Sequence, residues 1–324
     1  MRSLKRVHAL TLVPAVAGVL LLTACGSGSS SKGHSSMAGM DMASSASSPT
    51  TQESPMSSDH STSMPGMGHS TDPSAGHSMG HDDEPMYMGD GLATTDQGYT
   101  FAPTADSVAA DGFTFRIVGP DGRPVTAYEP EQTKLMHFYL VRSDLTGFQH
   151  VHPTMAADGT WTAPIKAAGP GTYRAYASFI AKGADGEPVA LTLSKEVGSP
   201  GTAADQPLPD ASATAEADGY TVTVDASKLM AGMAMPLKVS VAKDGKPVTD
   251  LEPYLETYAH LTGFHAGDMA MAHLHPEGGA ATTPTGGPEL DFEATLPRAG
   301  QWRMFLQFQT GGVLHTAAVT LDVS

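Results

Sequence analysis

Cysteine is nearly missing: Cys25 is the only one in 324 residues. A single cysteine excludes an internal disulfide, so each folded part must be held by its core alone. Basic residues are also scarce, with 18 Lys and Arg against 34 Asp and Glu, a net charge of −16. That balance argues against nucleic acid and anionic lipid surfaces as partners, and it favours cations. Beyond residue 22 no apolar run reaches membrane length, so the remainder is expected to be soluble. No Ser-His-Asp context and no phosphate-binding glycine loop stands out, and no enzyme is expected.

The beginning of the chain has its own pattern. Arg2, Lys5 and Arg6 precede an apolar run from Ala9 to Leu22, which ends in Leu22-Thr23-Ala24-Cys25. A charged start, a short apolar core and small residues before the cut describe a signal peptide. The motif at Cys25 resembles the bacterial lipobox, which implies removal of residues 1–24, acylation of Cys25 and anchorage to an extracytoplasmic membrane. Losing Arg2, Lys5 and Arg6 leaves 15 basic residues against 34 acidic ones, a mature charge of −19.

Residues 25–89 are Ser, Gly, Met, His and Pro with few large apolar groups. Such a segment buries too little surface to offset its ordering entropy, and a disordered tether is expected. Nine of the 18 methionines lie between residues 26 and 88, together with His34, His60, His69, His77 and His81. Serine and glycine alone would make a tether. The accumulated motifs, such as Met37-Ala-Gly-Met-Asp-Met42, look like the copper-handling tracts of exported bacterial metal-resistance proteins.

From about Asp90 short β-branched and aromatic runs alternate with Gly, Pro and Asp turns, which predicts antiparallel β-sandwiches. The pattern occurs twice. Asp121-Gly-Arg-Pro-Val-Thr126 returns as Asp244-Gly-Lys-Pro-Val-Thr249, and Gly171 to Phe179 returns as Gly300 to Phe308. The fold class is therefore all-β: sandwich repeats over 90–197 and 212–324, joined by a linker over 198–211.

Aligned from Pro130 and Pro253, the copies match His137 with His260, His150 with His273, and His152 with His275. Residues i and i+2 of a strand share a face, so each His-x-His pair can converge on one ion. A hairpin around Ser143 to Gly147 would bring His137 beside His150 and His152. Three imidazoles suit copper or zinc. Met269 and Met271 are expected to continue the His273–His275 face and to add soft ligands. His315 is a candidate fourth imidazole. These additions predict tighter Cu(I) binding in the second copy.

The segments Phe148-Gln-His-Val-His-Pro153 and Ala272-His-Leu-His-Pro276, with Val313-Leu-His-Thr-Ala-Ala318, resemble uncharacterised bacterial envelope lipoproteins with tandem immunoglobulin-like domains and His-x-His-Pro signatures. The resemblance implies a β-sandwich fold and an envelope location. A looser likeness runs to periplasmic copper-resistance carriers. The expected function is a lipid-anchored extracytoplasmic protein that sequesters or transfers copper, with zinc as the alternative ion and an envelope protein as a further partner. The alternative is a structural or protein-interaction module of the envelope without a metal role. Three histidines with an open position can also activate water or oxygen, which keeps an enzyme in view.

Overall fold

The computed structural model describes residues 88–324, apart from 110, 111 and 184. The expected signal peptide, Cys25 and almost all of the Met/His tether lie outside the described residues. Among the described residues there is no helix, and so none long and apolar enough to cross a membrane.

The first copy contains β1 (Thr95–Asp96), β2 (Tyr99–Pro103), β3 (Phe113–Val118), β4 (Tyr128–Glu129), β5 (His137–Arg142), β6 (Gln149–Val151), β7 (Thr154–Met155), β8 (Trp161–Ala163), β9 (Gly171–Lys182) and β10 (Pro188–Ser199). The second contains β11 (Thr214–Ala217), β12 (Tyr220–Asp225), β13 (Ala234–Lys243), β14 (Lys246–Pro247), β15 (Ala259–His265), β16 (Met271–Leu274), β17 (Glu289–Thr295), β18 (Gly300–Thr310) and β19 (Val313–Val323). In copy one the sheets run β1-β2-β3-β8-β7 and β10-β9-β5-β6, with β4 on β9. In copy two they run β11-β12-β13-β14, with β17 on β13, and β16-β15-β18-β19. The strand ladders are antiparallel, and the expected tandem of immunoglobulin-like sandwiches holds.

Outer-sheet strands alternate as a half-exposed sheet requires. In β3 the side chains of Phe113, Phe115 and Ile117 point inward, and Thr114, Arg116 and Val118 do not. Each copy has its own core, one around Phe115, Phe138 and Trp161, the other around Phe292, Trp302 and Phe308.

The facing sheets break the alternation. Every residue of β5 is buried. Phe138 and Leu140 enter the core of copy one, while Tyr139 and Val141 on the other face join a third apolar cluster with Phe264, Met271 and Phe305 of copy two. β15 behaves alike, with Leu261 in its own core and Phe264 in the shared cluster. The two copies thus pack sheet against sheet. Phe148 stacks on Phe305 with ring centroids 4.2 Å apart, and the Tyr176 hydroxyl donates to the Met269 carbonyl at 2.6 Å.

Two segments tie the seam. Arg142, buried against Asp144 at 2.6 Å, donates to the carbonyls of Ala203 and Ala204 in the linker. At the other side Met88 and Asp90 accept backbone bonds from Thr192 of copy one and Met271 of copy two, both at 2.7 Å. Gly91, next after Asp90, has φ +69°, and a Cβ there would lie 3.1 Å from both Thr192 and Tyr176. Only glycine fits that left-handed, crowded position without strain.

Candidate metal centre at the seam

The histidines gather where the sheets face each other. Tyr139 pairs with His150 across β5 and β6, and Thr262 pairs with His273 across β15 and β16. His137 lies two residues before Tyr139, and His260 two before Thr262. The strand period therefore puts each histidine on the same face as the pair that follows it. Residues 143–148 turn the expected hairpin in copy one. One ring nitrogen from each of His137, His150 and His152 falls within 4.8 Å of the others, and His260, His273 and His275 do the same.

Hydrogen bonds fix the ring orientations. His137 Nε2 lies 3.1 Å from the Glu131 carbonyl oxygen, and His260 Nε2 lies 2.8 Å from that of Tyr254. A carbonyl only accepts, so both Nε2 atoms carry the proton and both Nδ1 atoms present a lone pair. His150 Nδ1 donates to Gln307 Oε1 at 2.7 Å, which leaves His150 Nε2 unprotonated. That Nε2 lies 3.0 Å from His137 Nδ1. Two lone pairs thus face each other. In copy two His273 Nε2 and His275 Nε2 are 3.2 Å apart. Ligands held tetrahedrally at metal–nitrogen distances near 2.0–2.1 Å stand about 3.3 Å from each other. Two further ring nitrogens, His152 Nε2 and His260 Nδ1, are buried with no hydrogen-bond partner.

Burial keeps these rings neutral. It lowers His137 and His260 to about 4 and His152 and His275 to about 3, with neighbouring imidazoles adding to the effect at His137, His152 and His275. His150 and His273 lie well below the usual value for the same reason. Neutral imidazole is the form that binds a metal. Glu131 is half-buried, its Oε2 is buried with no partner, and desolvation raises its carboxyl to about 7.

The remaining expected ligands go elsewhere. His315 pairs in register with Phe308, whereas Gln307 is the residue that reaches His150. Alternation therefore turns His315 to the opposite face of the sheet. There its Nδ1 meets Asp218 at 2.9 Å and its Nε2 meets Thr310 at 3.1 Å. It does not join the other six. Met269 precedes β16 in a left-handed turn at φ 64°, so the expected strand alternation does not reach it. Met269 and Met271 both pack in the apolar seam cluster. The extra soft ligands that would have favoured copy two are thus not assembled there.

Sequence reasoning missed the supporting residues. Tyr139 stacks on His150 with centroids 4.3 Å apart, and its hydroxyl lies 3.2 Å from His273 Nδ1 in the other copy. Its position two residues after His137 was a usable signal. Glu131 and Tyr254, which each follow a matched proline, were another. Nothing in the local sequence marks Gln307.

A family model described as a domain of unknown function, DUF8832, matches twice, over residues 93–193 and 215–324. The chain belongs to this family. Its two matches correspond to the two sandwiches. No curated protein matches. Among solved structures, domains 4 and 5 of the S-layer protein SbsC share 14% identity over 69% of this chain and 97% of that one, with a TM-score of 0.22. The D00-D0 domain of Intimin shares 15% over 68% and 98%, at 0.19. A calcium-stabilised ice-binding adhesin of an Antarctic bacterium shares 16% over 72% and 49%, also at 0.19. Similarity at that level carries no argument about function.

Proposed function

We propose that this chain is a lipid-anchored extracytoplasmic protein that binds copper, and that it sequesters or passes on the ion. Zinc is the alternative, since imidazole suits both. The observation that carries the reading is the pair of unprotonated nitrogens, His137 Nδ1 and His150 Nε2, 3.0 Å apart in a buried site. Without a cation between them they repel. The equivalent His260 Nδ1 is buried and unpartnered as well. Unpaired buried polar atoms cost stability, and a metal ion would relieve that cost at each of them. The carbonyls of Glu131 and Tyr254 supply the outer hydrogen bonds that metal-ligating histidines use to hold their orientation. The Met- and His-rich residues 26–88 fit a collecting role for soft ions, and Cys25 fits the anchor.

A second reading is a structural or interaction module of the cell envelope. The apolar packing of one sandwich on the other, with Phe148 stacked on Phe305, needs no ion and fits it. Elemental analysis of the mature protein purified from its native membrane fraction separates the two. The metal reading expects copper or zinc that survives dialysis and falls when His150, His152, His273 and His275 are all changed to Ala. Metal-free protein that also fails to bind either ion when titrated would leave the envelope module.

A further inference from the structure

The two histidine sets do not occupy separate domains' surfaces; they meet across the seam. Within sets, ring centroids lie 4.4 to 6.1 Å apart. Between sets, His137 and His273 are 5.7 Å apart, and His150 lies 6.2 Å from His273 and 6.3 Å from His260. The spacing across the seam is thus the spacing within a set. The outer hydrogen bonds also cross. Gln307 of copy two holds His150 of copy one, and Tyr139 of copy one holds His273 of copy two. Each set thus has one ring hydrogen-bonded by the other sandwich.

We infer that the six imidazoles form one two-metal centre closed by docking of the sandwiches, and that it takes a pair of soft monovalent ions such as Cu(I) or Ag(I). The inference rests on the metal-binding reading above. Charge selects the ion class. All six donors are imidazoles, which bind a metal in their neutral form and bring no negative charge to it. Two ions as far apart as the facing rings of the two sets, about 6 Å, would repel through an environment of effective dielectric near 20. For two single charges that weakens the second ion roughly a hundredfold, and for two double charges by roughly eight powers of ten. A second divalent ion would therefore need an added anion, while a second monovalent ion would not.

The test follows the histidine-ring NMR signals of the full-length mature protein during titration with Ag(I), which is diamagnetic and does not change oxidation state. Ring signals report the seam separately from tether histidines. The two sets should fill in sequence, about a hundredfold apart, and filling the first should shift the rings of the second. Zn(II) in acetate-free, halide-free buffer should fill one set only. In His273→Ala/His275→Ala the remaining set should bind Ag(I) in a single step; should that variant unfold, the stepwise titration of the unaltered chain decides alone. Two sets filling together and independently, or two Zn(II) ions bound with equal affinity, would overturn the two-metal centre while leaving metal binding intact. No perturbation of any seam histidine would overturn the metal reading itself.

Discussion

His137 and His150 face each other through unprotonated nitrogens 3.0 Å apart, because the Glu131 carbonyl and the Gln307 amide oxygen each claim the proton on the far side of a ring. Neither ring can donate to the other while both are neutral. The tautomers are set by groups with no other role in the site, which is how metal ligands are usually oriented.

That relationship makes Gln307 a test of the seam. Replacing Gln307 with Leu removes the acceptor for His150 Nδ1 without touching a ligand. Metal affinity should fall by about tenfold or more. Competition against a chelator of known affinity measures it, and unchanged affinity would mean that His150 is oriented by something else.

The lowered histidine pKa values predict how stability depends on pH. Above the usual value of 6.5 the rings are neutral in both folded and unfolded chains. Between 6.5 and the folded values of about 4 for His137 and His260, or about 3 for His152 and His275, the unfolded chain takes up protons that the folded one refuses. Their contribution is present above pH 6.5 and lost as pH falls. Glu131, raised to about 7, acts in the opposite sense: it favours the fold below its usual value of 4.5, and that gain is lost as pH rises through about 7. One carboxyl is outweighed by several imidazoles. The urea midpoint of the metal-free protein should therefore drop between pH 7 and pH 5; a flat profile would contradict burial of the rings.

The seam should be a measurable part of stability. Phe305 is 6% exposed and stacks on Phe148 across the two copies. Phe305→Ala should cost about 3 kcal/mol, as removal of a buried aromatic does. Chemical denaturation reads the loss, and a change below about 1 kcal/mol would show that the seam repacks or contributes little.

Asp144 tests the linker attachment. Its side chain is 2% exposed, pairs with Arg142, and accepts the backbone N–H of Gln206. Asp144→Ala removes the nearer of two carboxylates on the buried Arg142 guanidinium, Asp205 at 3.2 Å being the other, at a cost of about 2 kcal/mol. Asp144→Asn, which keeps the acceptor, should cost less. Equal losses in thermal denaturation would assign the effect to the lost charge rather than to shape or the hydrogen-bond acceptor.

Cys25 makes an independent prediction. Cys25→Ser should move the protein from the membrane fraction to the soluble extracytoplasmic fraction, measured by immunoblotting after fractionation. Retention in the membrane would remove the lipid anchor from the proposal.

The sequence by itself determined the all-β class, the duplication, and the membership of each histidine triplet. Those properties follow from short-range rules: a period of two along strands, turn residues between them, and a matched order of blocks. His137, His150 and His152 share a face because Tyr139 pairs with His150, and a hairpin from Arg142 to Gln149 suffices to arrange that. The tertiary structure alone decided that the two triplets meet. A strand's alternation says which side chains share a face, and it is silent on what that face packs against. β5 and β15 show the consequence, since their second faces carry Tyr139, Val141 and Phe264 into a shared cluster that neither copy could bury alone. The same logic moved His315 away. Its place opposite Phe308, one residue from Gln307, is a matter of register across three strands separated by tens of residues, and register is set by the packing of both sheet faces together.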